Sequence, residues 1–209
     1  MIIHDVEQGS EEWLRMHLGI PTASRFGKIV TPKTRKPSTQ AFGLICELVA
    51  EWMLGEGVNV PMTQHMQRGL ALEGEAVNRY EFDHNVEAQR VGFVTDDDES
   101  VGCSPDALIG DDGGLEIKCP GAVKHIEYLL EPNRLRAAYF AQVQGSLWIC
   151  GRQWWDLMSW HPNLPPARLR IVPDDEYIEA LAEGVNRINE RVKEVLEQFG
   201  YVATSTDAA

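Results

Sequence analysis

The chain has 209 residues, 44% of them hydrophobic and 24% charged, ordinary proportions for a globular chain with a core of its own. Its 32 acidic against 19 basic side chains leave a net charge of -13, which excludes whole-surface coating of nucleic acid but not a lined groove. No run approaches the roughly 18 apolar residues of a membrane span, Asp5 and Glu7 break any leader-like start, and four cysteines lacking C-x-x-C or zinc spacing fit a reducing, cytoplasmic setting.

In chain order, residues 10–19 predict a short helix with Ser10 as cap, Glu11 and Glu12 in the first turn and Gly19 at the stop. Thr22 or Ser24 caps the next turn, and TPKTRKPS (31–38) is a proline-bounded basic loop. All six bases of residues 1–40 fall between Arg15 and Lys36 with no acid among them, whereas residues 41–114 hold fifteen acids and three bases. Such a basic segment on an acidic body is either a solvated loop or the lining of a groove.

A helix over 39–54 is expected to bury Phe42, Ile45, Val49, Trp52 and Met53. The next, over 64–83, carries the stripe Met66, Leu70, Glu73, Val77, Tyr80, with a carboxylate in the middle of an apolar face. From 88 to 119, EAQRVGFVT, SVGCSPDALIG and GLEIKCP predict two or three adjacent antiparallel strands, with turns at DDDE and GDDGG. A helix over 134–150 holds Gln142 and Gln144 among apolar residues, and strands follow at 154–161 and 167–172. A closing helix over 174–199 buries Ile178, Leu181, Val185, Ile188, Val192, Val195 and Phe199, and the tail from about residue 200 frays. The order predicts a mixed α+β fold around one sheet.

The chemistry concentrates in Asp106, then nine residues, then Glu116-Ile117-Lys118. Strand alternation sets Glu116 and Lys118 on one face, and an antiparallel partner brings Asp106 beside them. Two adjacent carboxylates repel each other and favour a hard dication, and a lysine beside them balances charge or polarises a water. Magnesium that keeps several waters and binds substrate phosphate is the usual pattern for phosphodiester chemistry. The bland alternative is a surface salt bridge at a strand end, weakened here because Leu115, Ile117, Cys119 and Pro120 describe a buried strand. Glu73 needs a metal, a water, or an ion pair with Arg79 or Arg68. Gln142 either orients a nucleophilic water or lies on the helix surface.

SPDALIG, LEIKCP and AYFAQVQGSLWIC, with WLRMHLGIPTASRFGKI and RGLALEGEAVNRYEF, resemble the bacteriophage λ exonuclease family over nearly the whole chain. This family is the YqaJ-like branch of the PD-(D/E)XK nucleases. The resemblance implies one nuclease domain over 1–209, of α+β class with a restriction-endonuclease-like core, a central mixed β-sheet flanked by helices. It implies that Asp106, Glu116 and the backbone carbonyl of Ile117 hold magnesium, two ions per site, for which manganese can substitute. Lys118 then positions and activates the attacking water, Gln142 assists it, and Glu73 supports the metals through water. Ser24 and Ser104 match the residues that hold a terminal 5′-phosphate. His17 stands where the family has an arginine, so dependence on that phosphate is open, with Arg15 or Arg25 as compensating cations. Arg35 lies near the DNA-contacting loop.

The activity so implied is magnesium-dependent 5′→3′ digestion of one strand of duplex DNA to 5′-mononucleotides, leaving 3′ tails for recombination of the phage or prophage type. The implied partners are double-stranded DNA ends, two further copies in a homotrimeric ring, and a single-strand annealing protein. Three other readings stand beside it: an endonuclease or repair nuclease of the same superfamily, a noncatalytic DNA-end-binding scaffold, and an acidic interaction module.

Overall fold

The strand cluster between residues 88 and 119 folds into two sheets rather than one. A computed structural model describes residues 1–58 and 64–201. In the first sheet β1 (Ile2–His4), β3 (Phe93–Thr95) and β4 (Gly102–Cys103) run antiparallel in the order β1-β3-β4. The second has the order β2-β5-β6-β7-β8, from β2 (Ala88–Gln89), β5 (Ala107–Ile109), β6 (Gly113–Lys118), β7 (Trp154–His161) and β8 (Leu164–Ile171). Its β6–β7 pair is parallel and the other pairs are antiparallel, so the central sheet is mixed. The runs EAQRVGFVT and SVGCSPDALIG each divide into two short strands that serve different sheets, a break that residue alternation does not signal.

The predicted GDDGG turn is shorter than expected. Gly113 and Gly114 already belong to β6, in register with Trp154 and Trp155 of β7. The two indoles occupy the space that a Cβ at either glycine would need. At the other edge β8 starts at Leu164, ahead of the predicted strand, and takes in Pro165 and Pro166. An edge strand tolerates them because its outer N–H groups have no ladder to join.

Helices cover both faces of the central sheet. On one face α3 (Gln64–His84) packs Ala76, Val77 and Tyr80 against Ala107, Leu115, Ile117, Met158 and Trp160. The side chains of Met66 and Leu70, predicted on the same stripe, lie outside the described residues, as does the tail from 202. On the other face lie α5 (Pro132–Cys150), α2 (Ala41–Leu54), α6 (Asp175–Gln198) and a 3-10 helix (Ala23–Lys28), around Phe26, Leu48, Leu135, Trp155 and Leu181. Gly145 of α5 carries no side chain where the ring of Phe26 presses on the helix.

Two helical faces differ from expectation. α2 buries Leu44, Leu48, Val49 and Glu51, while Phe42 is 75% and Trp52 39% exposed. The helix is rotated so that the Glu51 carboxylate meets Arg25 inside the protein. In α6 the buried stripe is Tyr177, Leu181, Gly184, Val185, Ile188, Val192 and Leu196, and Phe199, just past its end, is exposed. The sequence reading has no counterpart for β1 or for α4 (Ala122–Leu130). α4 buries His125 and Tyr128 and turns Val123, Ile126 and Leu130 outward. The short helix α1 (Glu11–Met16) forms as expected, with the Ser10 hydroxyl accepting from the Trp13 N–H. Among the described residues no helix is long and apolar enough to cross a membrane.

Candidate active site

Antiparallel pairing of β5 with β6 sets Ala107 opposite Leu115, so Asp106, one residue before β5, comes level with Glu116. The Asp106 carboxylate accepts from the backbone N–H of Ile117. On β6, Leu115 and Ile117 pack toward α3, while Glu116 and Lys118 meet side chains of α5. Glu116 is 3% exposed, and its Oε1 receives Gln142 Nε2 at 2.8 Å and Lys118 Nζ at 2.6 Å. Its Oε2 is buried with no partner. The Lys118 ammonium also lies 4.7 Å from the ring centroid of Tyr139.

The electrostatics record crowding of like charge. Burial pushes the Asp106 carboxyl well above the usual range, and the Glu116 and Glu73 carboxylates push it further. Burial likewise raises Glu73, with Glu116 next in weight. Burial alone would lower Lys118, but Glu116 and Asp106 outweigh it and hold the ammonium protonated. Neither arginine proposed for Glu73 pairs with it. Arg79 is bound to Asp83, and Arg68 makes no ion pair among the described residues.

These residues fit a divalent metal. A buried carboxylate oxygen with no partner is costly, and three carboxyl groups around one lysine are short of positive charge. Among the described residues no three His, Cys, Asp or Glu side chains converge tightly enough to hold an ion unaided. Two carboxylates and a backbone carbonyl are hard oxygen donors that would leave positions for water and substrate oxygens, a set that suits magnesium better than zinc.

A second cluster adjoins the first, because Ser104 lies two residues before Asp106. Ser104 Oγ is 3.2 Å from both Trp13 Nε1 and His17 Nε2. His17 Nδ1 lies 2.6 Å from the Trp13 carbonyl, an acceptor only, so Nδ1 carries the proton and the Ser104 hydroxyl donates to Nε2. The imidazole lies between the Trp13 and Phe93 rings, with centroids 3.8 Å and 4.1 Å away. Burial, with a smaller push from Arg25, takes its pKa down to about 4, so the ring is neutral at ordinary pH. Arg25 gives both terminal nitrogens to Glu51, at 3.0 and 2.6 Å. Ser24, on the 3-10 helix, is exposed with its hydroxyl 3.4 Å from that of Thr22, and Thr22 bridges to Gly102 of β4.

The structure thus gathers Asp106, Glu116, Lys118 and Gln142, with Glu73 within electrostatic reach, and joins His17 to Ser104 beside them. Arg15 is exposed, with its guanidinium 3.9 Å from the Glu11 carboxylate. Arg35 is bound to Asp174 and Glu176 at the start of α6.

Sequence reasoning passed over Trp13, Tyr139 and Glu51. For Glu51 a signal existed, a carboxylate within the apolar run ICELVAEWML, like that of Glu73. Trp13 and Tyr139 act through contacts across the fold and carry no local mark.

A model of the YqaJ-like viral recombinase domain matches residues 12–153, more than half of the chain. The chain belongs to the YqaJ-like viral recombinase family. This YqaJ-like chain is 30% identical to the alkaline exonuclease LHK-Exo of Laribacter hongkongensis, with a TM-score of 0.81 and coverage of 91% of this chain and 96% of that one. The same values hold for the structure of LHK-Exo in complex with dAMP. A phage-related exonuclease from Haemophilus somnus 129PT, 15% identical with a TM-score of 0.70, covers 86% of this chain and 96% of its own, and shares the fold. No curated protein matches the sequence. The mixed five-stranded sheet flanked by helices is accordingly the alkaline exonuclease fold, and the YqaJ-like chain is a nuclease of that class.

Proposed function

We propose that the protein is a metal-dependent 5′→3′ exonuclease that digests one strand of duplex DNA to 5′-mononucleotides and leaves 3′ single-stranded tails. The observation that carries this reading is Glu116, buried between Lys118 and Gln142 with Oε2 unpartnered beside Asp106. Magnesium held by Asp106, Glu116 and the Ile117 carbonyl would supply the Lewis acidity that phosphodiester hydrolysis requires.

The protein's own groups have separate roles. Lys118 keeps its proton between Glu116 and the Tyr139 ring, and so offers fixed positive charge to a phosphate that gains negative charge during attack. Gln142 holds the Glu116 carboxylate in one orientation. Asp106 is oriented by the Ile117 N–H. The relative LHK-Exo, whose structure is known with dAMP, supports release of deoxynucleoside monophosphates. The family resemblance underlies two further parts of the proposal, a homotrimeric ring around DNA and an annealing-protein partner, and the four free cysteines support work in the cytoplasm.

The test uses one linear duplex labelled separately at its 5′ and 3′ ends, beside a closed circular plasmid, in magnesium and in EDTA. Release of 5′-labelled mononucleotide from the linear DNA, abolished by EDTA, is expected. Cutting of the circle would replace this reading with an endonuclease, and DNA binding without cleavage would replace it with a scaffold.

A further inference from the structure

Most Lys and Arg side chains of this acidic protein are engaged. Arg25, Lys28, Arg35, Lys118 and the Arg168–Arg170 pair all meet carboxylates. Arg90 and Arg152 bond to backbone carbonyls instead, and the cations left without partners are exposed, with one exception. Among the described residues Arg68 is the one partly buried cation with neither an acid nor a hydrogen-bond acceptor. A guanidinium presents five N–H donors in a fixed fork, and partial burial without acceptors leaves them costly.

Its location gives that cost a purpose. Arg68 stands on α3 five residues before Glu73. Its Nη1 lies against Gly121, 3.8 Å from where a Cβ would stand. Gly121 follows Lys118-Cys119-Pro120, the exit of β6 into α4. The β6–β7 pair is parallel, with Lys118 level with Ser159, so Lys118 and His161 lie at the same end of the sheet. On the β7 side of that end, burial lowers the His161 pKa and the positive charge of Arg68 lowers it further. Arg68 makes no ion pair with Asp106, Glu116 or Glu73, so neutralising them is not its task.

We propose that Arg68 grips a backbone phosphodiester of the DNA strand that enters the carboxylate site, acting as a substrate-positioning residue. This rests on the exonuclease reading above. A planar two-pronged donor matches two phosphate oxygens better than an ammonium does. The alternative source of the same chemistry is the phosphate of a released mononucleotide.

The test compares the full chain with Arg68→Ala, Arg68→Gln and Arg68→Lys. Binding of a fluorescent linear duplex is measured in EDTA over a salt series, together with kcat/KM in magnesium and melting temperature. Loss of one phosphate contact lowers the slope of log K against log salt by about 0.9. The expected result is that decrease in the Ala and Gln variants, a slope in Lys close to that of the wild type, and a ten- to hundredfold loss of kcat/KM in the Ala and Gln variants (roughly 1–3 kcal/mol), with the melting temperature unchanged. Slopes and kcat/KM equal to the wild type would overturn the proposal. So would a slope kept in all three variants with a lowered melting temperature, since that marks a brace for Gly121. An unchanged duplex slope with weakened inhibition by dAMP would also overturn it, reassigning Arg68 to the product. The slope is read without turnover, so a wild type that releases no 5′ label sinks the exonuclease reading and still decides Arg68.

Discussion

Gln142 Nε2 donates to Glu116 Oε1 at 2.8 Å, and this decides which carboxylate oxygen is left over: Oε1 is taken twice and Oε2 not at all. Glu116→Gln keeps the shape and removes one of three crowded charges. Cleavage is expected to fall by about a thousandfold or more, while the melting temperature in EDTA rises by roughly 2–5 °C as repulsion on Asp106 and Glu73 is relieved. Scanning fluorimetry with and without EDTA reads the second effect. A variant that is less stable in EDTA would show that Glu116 supports the fold as a charge.

Lys118→Ala is expected to abolish cleavage while duplex binding survives, because its ammonium serves the reacting phosphate. Tyr139→Leu probes the same group from beneath. A cation–π contact at a partly exposed site contributes about 0.5–1 kcal/mol, so kcat should fall only about two- to fivefold. Normal turnover in Lys118→Ala would remove the lysine from the chemistry.

His17 makes stability depend on pH. Its folded pKa of about 4 lies below the ordinary 6.5 of a histidine, so the unfolded chain binds the extra proton more readily. Stability is therefore full above about pH 6.5 and declines as pH falls toward 4, by up to roughly 3 kcal/mol. Urea titrations at pH 7 and pH 4.5 measure it, and His17→Gln should flatten the difference. An equally steep decline in that variant would assign the proton to another group.

Ser24, Ser104 and His17 match a 5′-phosphate pocket by family resemblance, so the second cluster is expected to govern which DNA ends are accepted. His17 is neutral and Arg25 is tied bidentately to buried Glu51, so the pocket offers a terminal phosphate little net charge. The wild type should favour 5′-phosphorylated over 5′-hydroxyl ends by less than about tenfold in kcat/KM, under roughly 1.4 kcal/mol. Glu51→Gln, which leaves Arg25 uncompensated, should widen the ratio. A wild-type preference of a thousandfold would contradict this account of the pocket.

Away from the site, Asp156 is fully buried and receives Tyr80 Oη at 2.7 Å, Arg168 at 2.6 Å and Arg170 through two nitrogens at 2.9 Å. Burial alone would raise its pKa, but these donors outweigh it and hold it below the ordinary value. Its contribution to stability is thus present above about pH 3.8 and lost as pH falls through the depressed value. Asp156→Asn should cost about 2 kcal/mol in urea unfolding, less than a sealed pair because both arginines are partly solvated. No change would mean that the arginines are satisfied by water alone.

The site was more legible in the sequence than the architecture around it. Glu73 betrayed itself as a charge inside an apolar helical stripe, and Glu116 and Lys118 as charges on a buried strand, because a single chain shows where polarity contradicts periodicity. The face of α2 was not legible: Phe42 and Trp52 make the more hydrophobic stripe, yet the helix turns Leu44 and Leu48 inward so that Glu51 reaches an arginine 26 positions earlier. Similarly, α4 exposes Val123 and Leu130 while burying His125, whose ring nitrogens lie 2.8 Å from Ser159 Oγ and 2.9 Å from the Pro165 carbonyl. Partners so distant in the chain leave no local pattern. Nor do strands of two or three residues, which hid the three-stranded β1-β3-β4 sheet.

The missing side chain of Gly145 has a consequence for the whole site. α5 carries Tyr139 and Gln142 to the carboxylate site, and the 3-10 helix carries Ser24 and Arg25, which the family resemblance links to the strand end. The two touch where Phe26 lies on Gly145. The spacing between the carboxylate site and the residues matched to a 5′-phosphate pocket is therefore gauged by one bare α-carbon. A single methyl added there would push the two apart while leaving every functional side chain unchanged.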